Sequence, residues 1–431
     1  MFFRITLNPT FGLAACASFF VGIAGVLAGV PDEDPLNSTL SLPPKGAKLS
    51  LLSGAKSTRK EPGTASRGQI QLAKPGPWGE LEFFTTYLVV PLDLLKANLT
   101  SSLALDWNFV GVPEADVEKL FRSLELPEPI RVELLDTGKW RGDGSIVTVT
   151  PSPKTLETLP PAARAAIYTV LGRFSENRFH AEPTLVPGGD VDTWLRNATL
   201  RPEIVETIKK TLFRRGQSTL FADRALVLRM AESDAERLAI RKALSRTATL
   251  VGKVRLGPET NAAKLAEYWS AGQRSKDAEP FLESMLTTDG VDQIDLVHLL
   301  PANVRRLLYT FPNESHGRSG YYPDCHWTSL NFFNYEPLER LAEPPLATAY
   351  TLENYVEVPK ADQLGDILFF MDRKTGNTFH SCVFIADDIV FTKNGRSRYS
   401  PWLLMRLGEL RELYGIYQQT DVVAYRRKAV K

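Results

Sequence analysis

The chain has 431 residues, of which 43% are hydrophobic and 23% are charged, a globular composition with room for two or three domains. A formal net charge of +1, without a basic run interleaved with aromatic residues, argues against a dedicated nucleic-acid-binding protein. The 3 cysteines supply neither a disulfide framework nor a paired-cysteine metal motif, and no two of the 5 histidines have metal-ligand spacing. We therefore expect no metal and no cofactor.

The N-terminus predicts export. Arg4 precedes an uncharged run over residues 11–30, and an acidic cluster follows at residues 32–34. Because about 20 apolar residues can span a bilayer, residues 1–30 are either a signal peptide, cleaved after Ala28, or a membrane anchor. Residues 31–78 are rich in Pro, Gly, Ser and Lys and are predicted to form a disordered, flexible tether. The folded part would then be periplasmic, membrane-anchored or extracellular.

Residues 79–307 predict a mixed α/β domain, whose role the sequence does not indicate. A strand is expected over residues 81–90, and two paired strands over 131–136 and 145–150, around a glycine-rich turn. Apolar periodicity predicts helices over residues 113–126, 152–175, 202–215, 233–245, 259–270 and 294–309.

One spacing occurs twice in the chain. A Leu-Pro pair is followed by Arg164 and Tyr168, and a second Leu-Pro pair by Arg305 and Tyr309, at the same intervals. In each copy the Pro suits the start of a helix, and Arg and Tyr lie four residues apart on one helix face. The pattern indicates either a degenerate duplicate of one fold or, the interpretation we favour, two unrelated helices with similar starts.

Residues 321–334 are the candidate catalytic segment, because they contain Cys325. Asp324 is a candidate helix N-cap, and four apolar residues that follow can bury a helix: Trp327, Leu330, Phe332 and Phe333. A cysteine in the first turn of a helix feels the positive end of the helix dipole, which favours the nucleophilic thiolate.

Three strands are expected after this helix, at residues 365–370, 379–385 and 387–395. His380 stands at the head of the second strand. A cysteine on a helix followed by a histidine on a strand is the order that a thiolate–imidazolium pair requires. The alternative is a buried cysteine and a core histidine without catalytic roles.

This part of the chain, residues 308–431, resembles the NlpC-like cell-wall peptidases, a papain-like family. Asp324 and Cys325 match the family's Asp-Cys motif, residues 365–370 match its Gly-Asp-Leu-Val-Phe-Phe strand, and residues 380–385 match its histidine strand. A last strand ending in Arg-Arg matches at residues 426–427. The resemblance implies an α+β chain with a C-terminal papain-like (NlpC-type) domain.

The resemblance also assigns roles to the site residues. Cys325 would be the nucleophile and His380 its base, while Thr392 or Asn394, two residues apart on one strand face, would orient the imidazole. The backbone N–H of Cys325 would contribute to an oxyanion hole. Four residues would line the cleft, of which Asp324 would pair with a substrate amine: Tyr322, Asp324, His326 and Trp327.

The sequence departs from the family at three positions. His326 and Trp327 stand where the family has Ser and Gly, so a narrower cleft is expected. Cys382 stands where the family commonly has Gly, and strand alternation predicts that it shares the face of His380, turned towards the Cys325 helix. Cys382 is then either the partner of Cys325 in a reversible disulfide or a small buried residue that fills space.

Two functions follow from these observations. The first is an exported cysteine hydrolase that cleaves amide bonds in peptidoglycan peptides. The second is a non-catalytic module that binds a wall peptide or a partner protein on the same fold. The intact Cys325–His380 pair favours the hydrolase, whereas the weak orienting residue and the bulk of Trp327 favour the binding module.

Overall fold

The computed structural model describes residues 70–96, 103–216, 218–271, 275–317, 322–373, 375–415 and 420–428. The predicted signal or anchor and most of the predicted tether lie outside these ranges. Within them, no helix is both long enough and apolar enough to cross a membrane.

The first part of the chain alternates short helices and strands. Its strands are β1 (Gln71–Leu72), β2 (Glu80–Leu88), β3 (Trp107–Val110), β4 (Arg141–Gly142), β5 (Ile146–Val149), β6 (Thr184–Leu185), β7 (Phe213–Arg215), β8 (Ser218–Phe221), β9 (Thr247–Arg255) and β10 (Gln293–Asp295). Its helices are α1 (Leu92–Lys96), α2 (Glu114–Arg122), α3 (Glu128–Leu134), α4 (Pro153–Thr158), α5 (Pro161–Leu171), α6 (Arg178–Ala181), α7 (Val191–Trp194), α8 (Pro202–Lys210), α9 (Arg224–Arg229), α10 (Asp234–Leu244), α11 (Ala262–Trp269), α12 (Ser275–Leu286), α13 (Leu296–Leu299) and α14 (Ala302–Leu307).

The last part of the chain forms one sheet and the helices around it. The helices are α15 (Cys325–Leu330), α16 (Pro344–Asn354) and α17 (Leu407–Gly415). The strands are β11 (Tyr355–Val358), β12 (Ile367–Asp372), β13 (Thr378–Ala386), β14 (Ile389–Lys393), β15 (Trp402–Arg406) and β16 (Thr420–Arg427). They form an antiparallel sheet in the order β11-β16-β12-β13-β14-β15. The predicted α+β class is therefore confirmed in its coarse form.

The central hairpin of this sheet follows from local sequence. Strands β13 and β14 pair up to Ala386 opposite Ile389, which leaves a two-residue turn. Asp387 in that turn has φ 53°, a left-handed conformation that Asp adopts more readily than most residues.

Several sequence-based expectations about the first part of the chain were wrong. The helix predicted over residues 202–215 ends at Lys210, and residues 213–215 form strand β7. The predicted tether extends too far, because strand β1 and Trp78 lie inside it: β1 pairs with β2, and Trp78 packs against the core. Residues 131–136 fall largely in helix α3 and not in a strand. The segment is helical because one helix face buries Ile130 and Leu134. This burial outweighs the preference of its β-branched residues for strands.

The largest apolar cluster joins the two predicted domains, 79–307 and 308–431. It contains Phe83 and Val254 of the first segment together with Trp327, Phe369 and Trp402 of the second. The predicted boundary at residues 307 and 308 is therefore not a break in packing.

The two copies of the repeated spacing adopt different structures. Tyr168 lies within helix α5 and is buried, and Arg164 beside it forms a buried ion pair with Asp223 at 2.7 Å. Arg305 is exposed, and Tyr309 follows the end of helix α14 with φ 66°. The structure favours two unrelated helices with similar starts.

Candidate active site

Helix α15 places Cys325 at its first position, and Asp324 caps it as the sequence predicts. The Asp324 Oδ1 accepts a hydrogen bond from the backbone N–H of Trp327 at 2.9 Å. Trp327, Leu330 and Phe332 bury the helix in the largest core cluster. The thiol of Cys325 is thus held at a helix N-terminus, and its residue is only 4% exposed.

The second oxygen of Asp324 is already paired within the chain. Arg396, in the loop between β14 and β15, donates from Nε to Asp324 Oδ2 at 3.1 Å. Oδ1 accepts from the backbone and Oδ2 from a guanidinium, so this carboxylate links the start of α15 to the loop between β14 and β15.

The imidazole of His326, the residue that follows Cys325, is hydrogen-bonded to the Cys325 side chain. Burial lowers the pKa of His326, but the charge of Cys325, a hydrogen bond to its side chain and the charge of Asp324 raise that pKa above its usual value. The Nδ1 of the same ring lies 3.0 Å from Ser381 Oγ, which in turn donates to Ser329 Oγ at 3.1 Å. A thiol, an imidazole and a hydroxyl therefore follow one another at the start of α15.

His380 occupies a second, fully buried position. Its Nε2 lies 3.1 Å from Thr392 Oγ1, while its Nδ1 is buried without a hydrogen-bond partner among the described residues. The ring stacks on Tyr414 with centroids 4.1 Å apart and meets the edge of Phe370 at 5.4 Å. Of the two orienting residues considered from the sequence, Thr392 is the one whose side chain reaches His380.

The alternation of β13 divides these residues between the two faces of the sheet. Ser381 contacts α15, and Val383 shares the core cluster of Trp327. Cys382 lies in a different cluster, with Phe370 and other residues of the opposite face. Cys382 shares the face of His380, as alternation predicts, but the expectation that this face is turned towards helix α15 was wrong.

Lys393 is a charged residue that sequence reasoning missed. It is fully buried, and its Nζ donates to the backbone oxygens of Gly395 at 2.6 Å and Ser397 at 3.1 Å. Burial lowers the pKa of Lys393 to about 7, although the charges of Asp324 and Cys325 act to raise it. The positive field of this group therefore reaches the thiol and weakens near neutral pH.

The remaining predicted site residues make other contacts. Trp327 is 1% exposed and packs against Trp402, so it belongs to the core and not to a cleft wall. Tyr322 lies beneath the guanidinium of Arg398. The amide nitrogen of Asn394 contacts the sulfur of Met405 at 3.7 Å.

The missed residues share one property. Ser381, Lys393, Arg396 and Tyr414 act on the site through pairings between distant segments, which no local motif marks. Only Ser381 carried a signal, since it lies between His380 and Cys382 in a strand where alternate residues face opposite ways.

No family model, curated protein or solved structure matches this chain. Within the described residues no group of three or more His, Cys, Asp and Glu side chains could hold a metal ion.

Proposed function

We propose that the chain is an exported cysteine hydrolase that cleaves amide bonds, with peptidoglycan peptides as the substrate class. The observation that carries this proposal is the Cys325–His326–Ser381 arrangement at the capped start of α15. A thiol beside an imidazole whose other nitrogen is held by a hydroxyl is the arrangement of an activated nucleophile. The peptidoglycan substrate and the papain-like fold come from the resemblance.

The reaction uses the imidazole of His326 for both proton transfers. His326 keeps Cys325 as a thiolate, which attacks the substrate carbonyl carbon and forms a tetrahedral oxyanion near the first backbone N–H of the helix. The C–N bond then breaks, and the leaving amine takes from His326 the proton that this imidazole received from the thiol. Water hydrolyses the thioester and releases the acid and the free thiolate.

The test measures thiol activation and hydrolysis separately. The rate of alkylation by iodoacetamide across pH 5–9 reports the Cys325 thiolate, and release of new amino groups from purified peptidoglycan reports hydrolysis. We expect His326→Gln to shift the alkylation profile to higher pH and to abolish hydrolysis. We expect His380→Gln, on the other face of β13, to leave the alkylation profile of Cys325 near that of the parent.

The controls are the two cysteines themselves. Cys325→Ser should lose both signals, whereas Cys382→Ala should keep both, since Cys382 is fully buried and burial raises its pKa further above the usual value. Alkylation of Cys325 no faster than that of a free thiol at pH 6, together with no released amino groups, would refute the hydrolase.

The burial of the site favours one second candidate, a peptide-binding module without catalysis. Cys325, His380 and Thr392 are between 0% and 4% exposed, which leaves a substrate carbonyl little access. Equal binding of a peptidoglycan peptide to the parent and to Cys325→Ser, with no cleavage by either, would support that module.

Export is part of the same proposal. The uncharged run at residues 11–30 motivates it. Fractionation of cells that express the full chain should find it outside the cytoplasm, either shortened near residue 28 or held in the membrane. Recovery of the uncleaved chain from the soluble cytoplasm would contradict this part.

A further inference from the structure

A cavity of about 600 Å³ lies between the C-terminal sheet and the segment before it. From the sheet it is lined by Leu403 and Met405 of β15, which belong to the same apolar cluster as Cys382. The cavity therefore borders the face of the sheet opposite to helix α15. Its other walls come from helices α6, α9, α10 and α17 and from the loop between β14 and β15.

The charged side chains of this cavity are mainly arginines. The lining contains five arginines against three glutamates: Arg178, Arg214, Arg224, Arg241 and Arg246 against Glu182, Glu409 and Glu412. Burial raises the pKa of Glu182 and also that of Glu409, so both carboxylates are less readily charged than at the surface. The cavity thus presents an excess of positive charge.

Arg224 shows how this charge is arranged. Its guanidinium donates to the neutral hydroxyl of Thr184 at 3.2 and 2.5 Å and lies over the ring of Phe179. Neither Arg224 nor Arg178 forms an ion pair with any carboxylate of the described residues. Burial lowers the pKa of Arg224 to about 10, and the like charges of Arg178 and Arg241 lower it further, against the raising effect of Glu182.

Holding guanidinium groups together costs free energy, because like charges repel. The charge of Glu182 acts on both Arg178 and Arg224, but burial raises the pKa of Glu182, so it offsets their repulsion only in part. Arginine is the side chain best suited to planar carboxylate and phosphate groups, which it can bind through two parallel hydrogen bonds. An anion between Arg178 and Arg224 would offset the remaining repulsion. The arrangement is therefore that of a site which its ligand completes.

The remaining walls can hold the body of a small molecule. Apolar side chains and hydroxyl groups alternate around the cavity: Val186, Leu228, Leu403, Met405, Ser397 and Tyr399. A volume of about 600 Å³ falls within the roughly 300–1,000 Å³ of small-molecule sites. We propose that this cavity binds a small molecule carrying two or more carboxylate or phosphate groups, with the arginines on its anionic end.

This site is independent of the thiol chemistry, since it neither contains Cys325 nor lies on the face of the sheet that contacts α15. Its test uses the full chain and isothermal titration calorimetry at fixed ionic strength. Citrate and inorganic pyrophosphate are the two probes, and they separate a carboxylate ligand from a phosphate ligand. We expect saturable one-to-one binding of at least one probe, weakening as sodium chloride is raised.

Two variants and one control locate the binding. Arg178→Gln and Arg224→Gln should each raise the Kd of the bound probe at least tenfold. Arg178 is exposed, so its variant tests the site even where Arg224→Gln disturbs folding. Arg122→Gln is the matched control, because Arg122 pairs with Glu118 on the surface of α2, and its Kd should equal that of the parent.

The proposal is overturned by either of two results. One is that neither citrate nor pyrophosphate gives a heat of binding at concentrations up to 10 mM. That concentration is on the order of ten times the Kd of a weak, millimolar ligand, so such binding would be detected. The other is a Kd that is the same for the parent, Arg178→Gln and Arg122→Gln, which would mean non-specific ion binding. Cys325→Ser should bind the probe as the parent does, so failure of the proposed hydrolase would leave this result unchanged.

Discussion

The hydroxyl of Thr392 holds the imidazole of His380 by its Nε2. When the ring carries its hydrogen on Nε2, that N–H donates to Thr392 Oγ1, and the threonine proton points to Asn394 Oδ1 at 3.5 Å. The buried Nδ1 has no hydrogen-bond partner among the described residues. Thr392 and Asn394, which sequence reasoning treated as alternatives, form one short chain of hydrogen bonds.

Replacement of Thr392 by Val should test this hydrogen bond. Valine keeps the shape but cannot accept from Nε2–H, which leaves a buried donor without a partner and should lower the free energy of unfolding by about 1–3 kcal/mol. Thr392→Ser keeps the hydroxyl and should cost less. The measurement is urea denaturation of the parent and both variants. Equal stabilities of the Val and Ser variants would exclude a contribution from this hydrogen bond.

Lys393 predicts a pH dependence of stability. Because its pKa is about 7 when folded and 10.5 when unfolded, the unfolded chain binds more protons between these values, and stability rises with pH across that window. Lys393→Met should remove the rise, which is at most about 1.4 kcal/mol per pH unit. Urea denaturation of parent and variant at pH 7 and pH 9 measures it. A constant difference between them would contradict the prediction.

At the scale of elements, strand β13 separates two groups of polar residues. Ser381 joins the side of the sheet that carries Cys325 and His326, whereas His380 and Cys382 join the side of Tyr414 and the cavity. The sheet backbone therefore lies between the Cys382 side chain and helix α15. This arrangement favours Cys382 as a small buried residue over its role as a disulfide partner of Cys325.

The turn before β12 sets the distance between the sheet and the segment after α15. Gly365 has φ 91°, and a Cβ on it would lie 2.2 Å from the ring of Phe333. Its N–H donates to Phe384 O at 3.1 Å, so the turn cannot move without losing a bond to β13. Glycine is required here both by the backbone angle and by the close approach of the ring.

Gly365→Ala should therefore destabilise the chain more than the same change at an open turn. Gly376 is the matched control, with φ 70° and no atom within 4 Å of an added Cβ. The backbone cost, about 1–3 kcal/mol, is common to both variants, and the clash with Phe333 adds to it only at Gly365. Midpoints of urea denaturation give the difference. Equal midpoints would show that Phe333 moves aside freely.

At the scale of the whole molecule, β15 is the edge strand of the C-terminal sheet, and β9 of the preceding segment covers it. Thr249 of β9 is 1% exposed, and its hydroxyl both accepts from Leu404 N at 3.1 Å and donates to Leu404 O at 3.0 Å. An edge strand otherwise presents unpaired backbone groups, so this contact and the shared core tie the two segments together.

Thr249→Val should expose how much this contact contributes. Valine has the shape of threonine but leaves two buried backbone groups of β15 without partners, which costs about 1–3 kcal/mol for each group. Thr249→Ser keeps the hydroxyl and should cost less. Calorimetric unfolding of the two variants and the parent measures it, and a Val variant as stable as the Ser variant would contradict the prediction.

The sequence by itself determined the local features of the C-terminal region: the Asp324 cap, the start of α15, the strands β12 to β14 and the tight turn between β13 and β14. Each depends on residues within a few positions of one another. The limit of the tether, the structure of residues 131–136 and the faces of β13 were decided by long-range packing. For the same reason the contacts of Ser381, Arg396 and Lys393 with the site, and the arginine-lined cavity, appear only when distant segments are brought together.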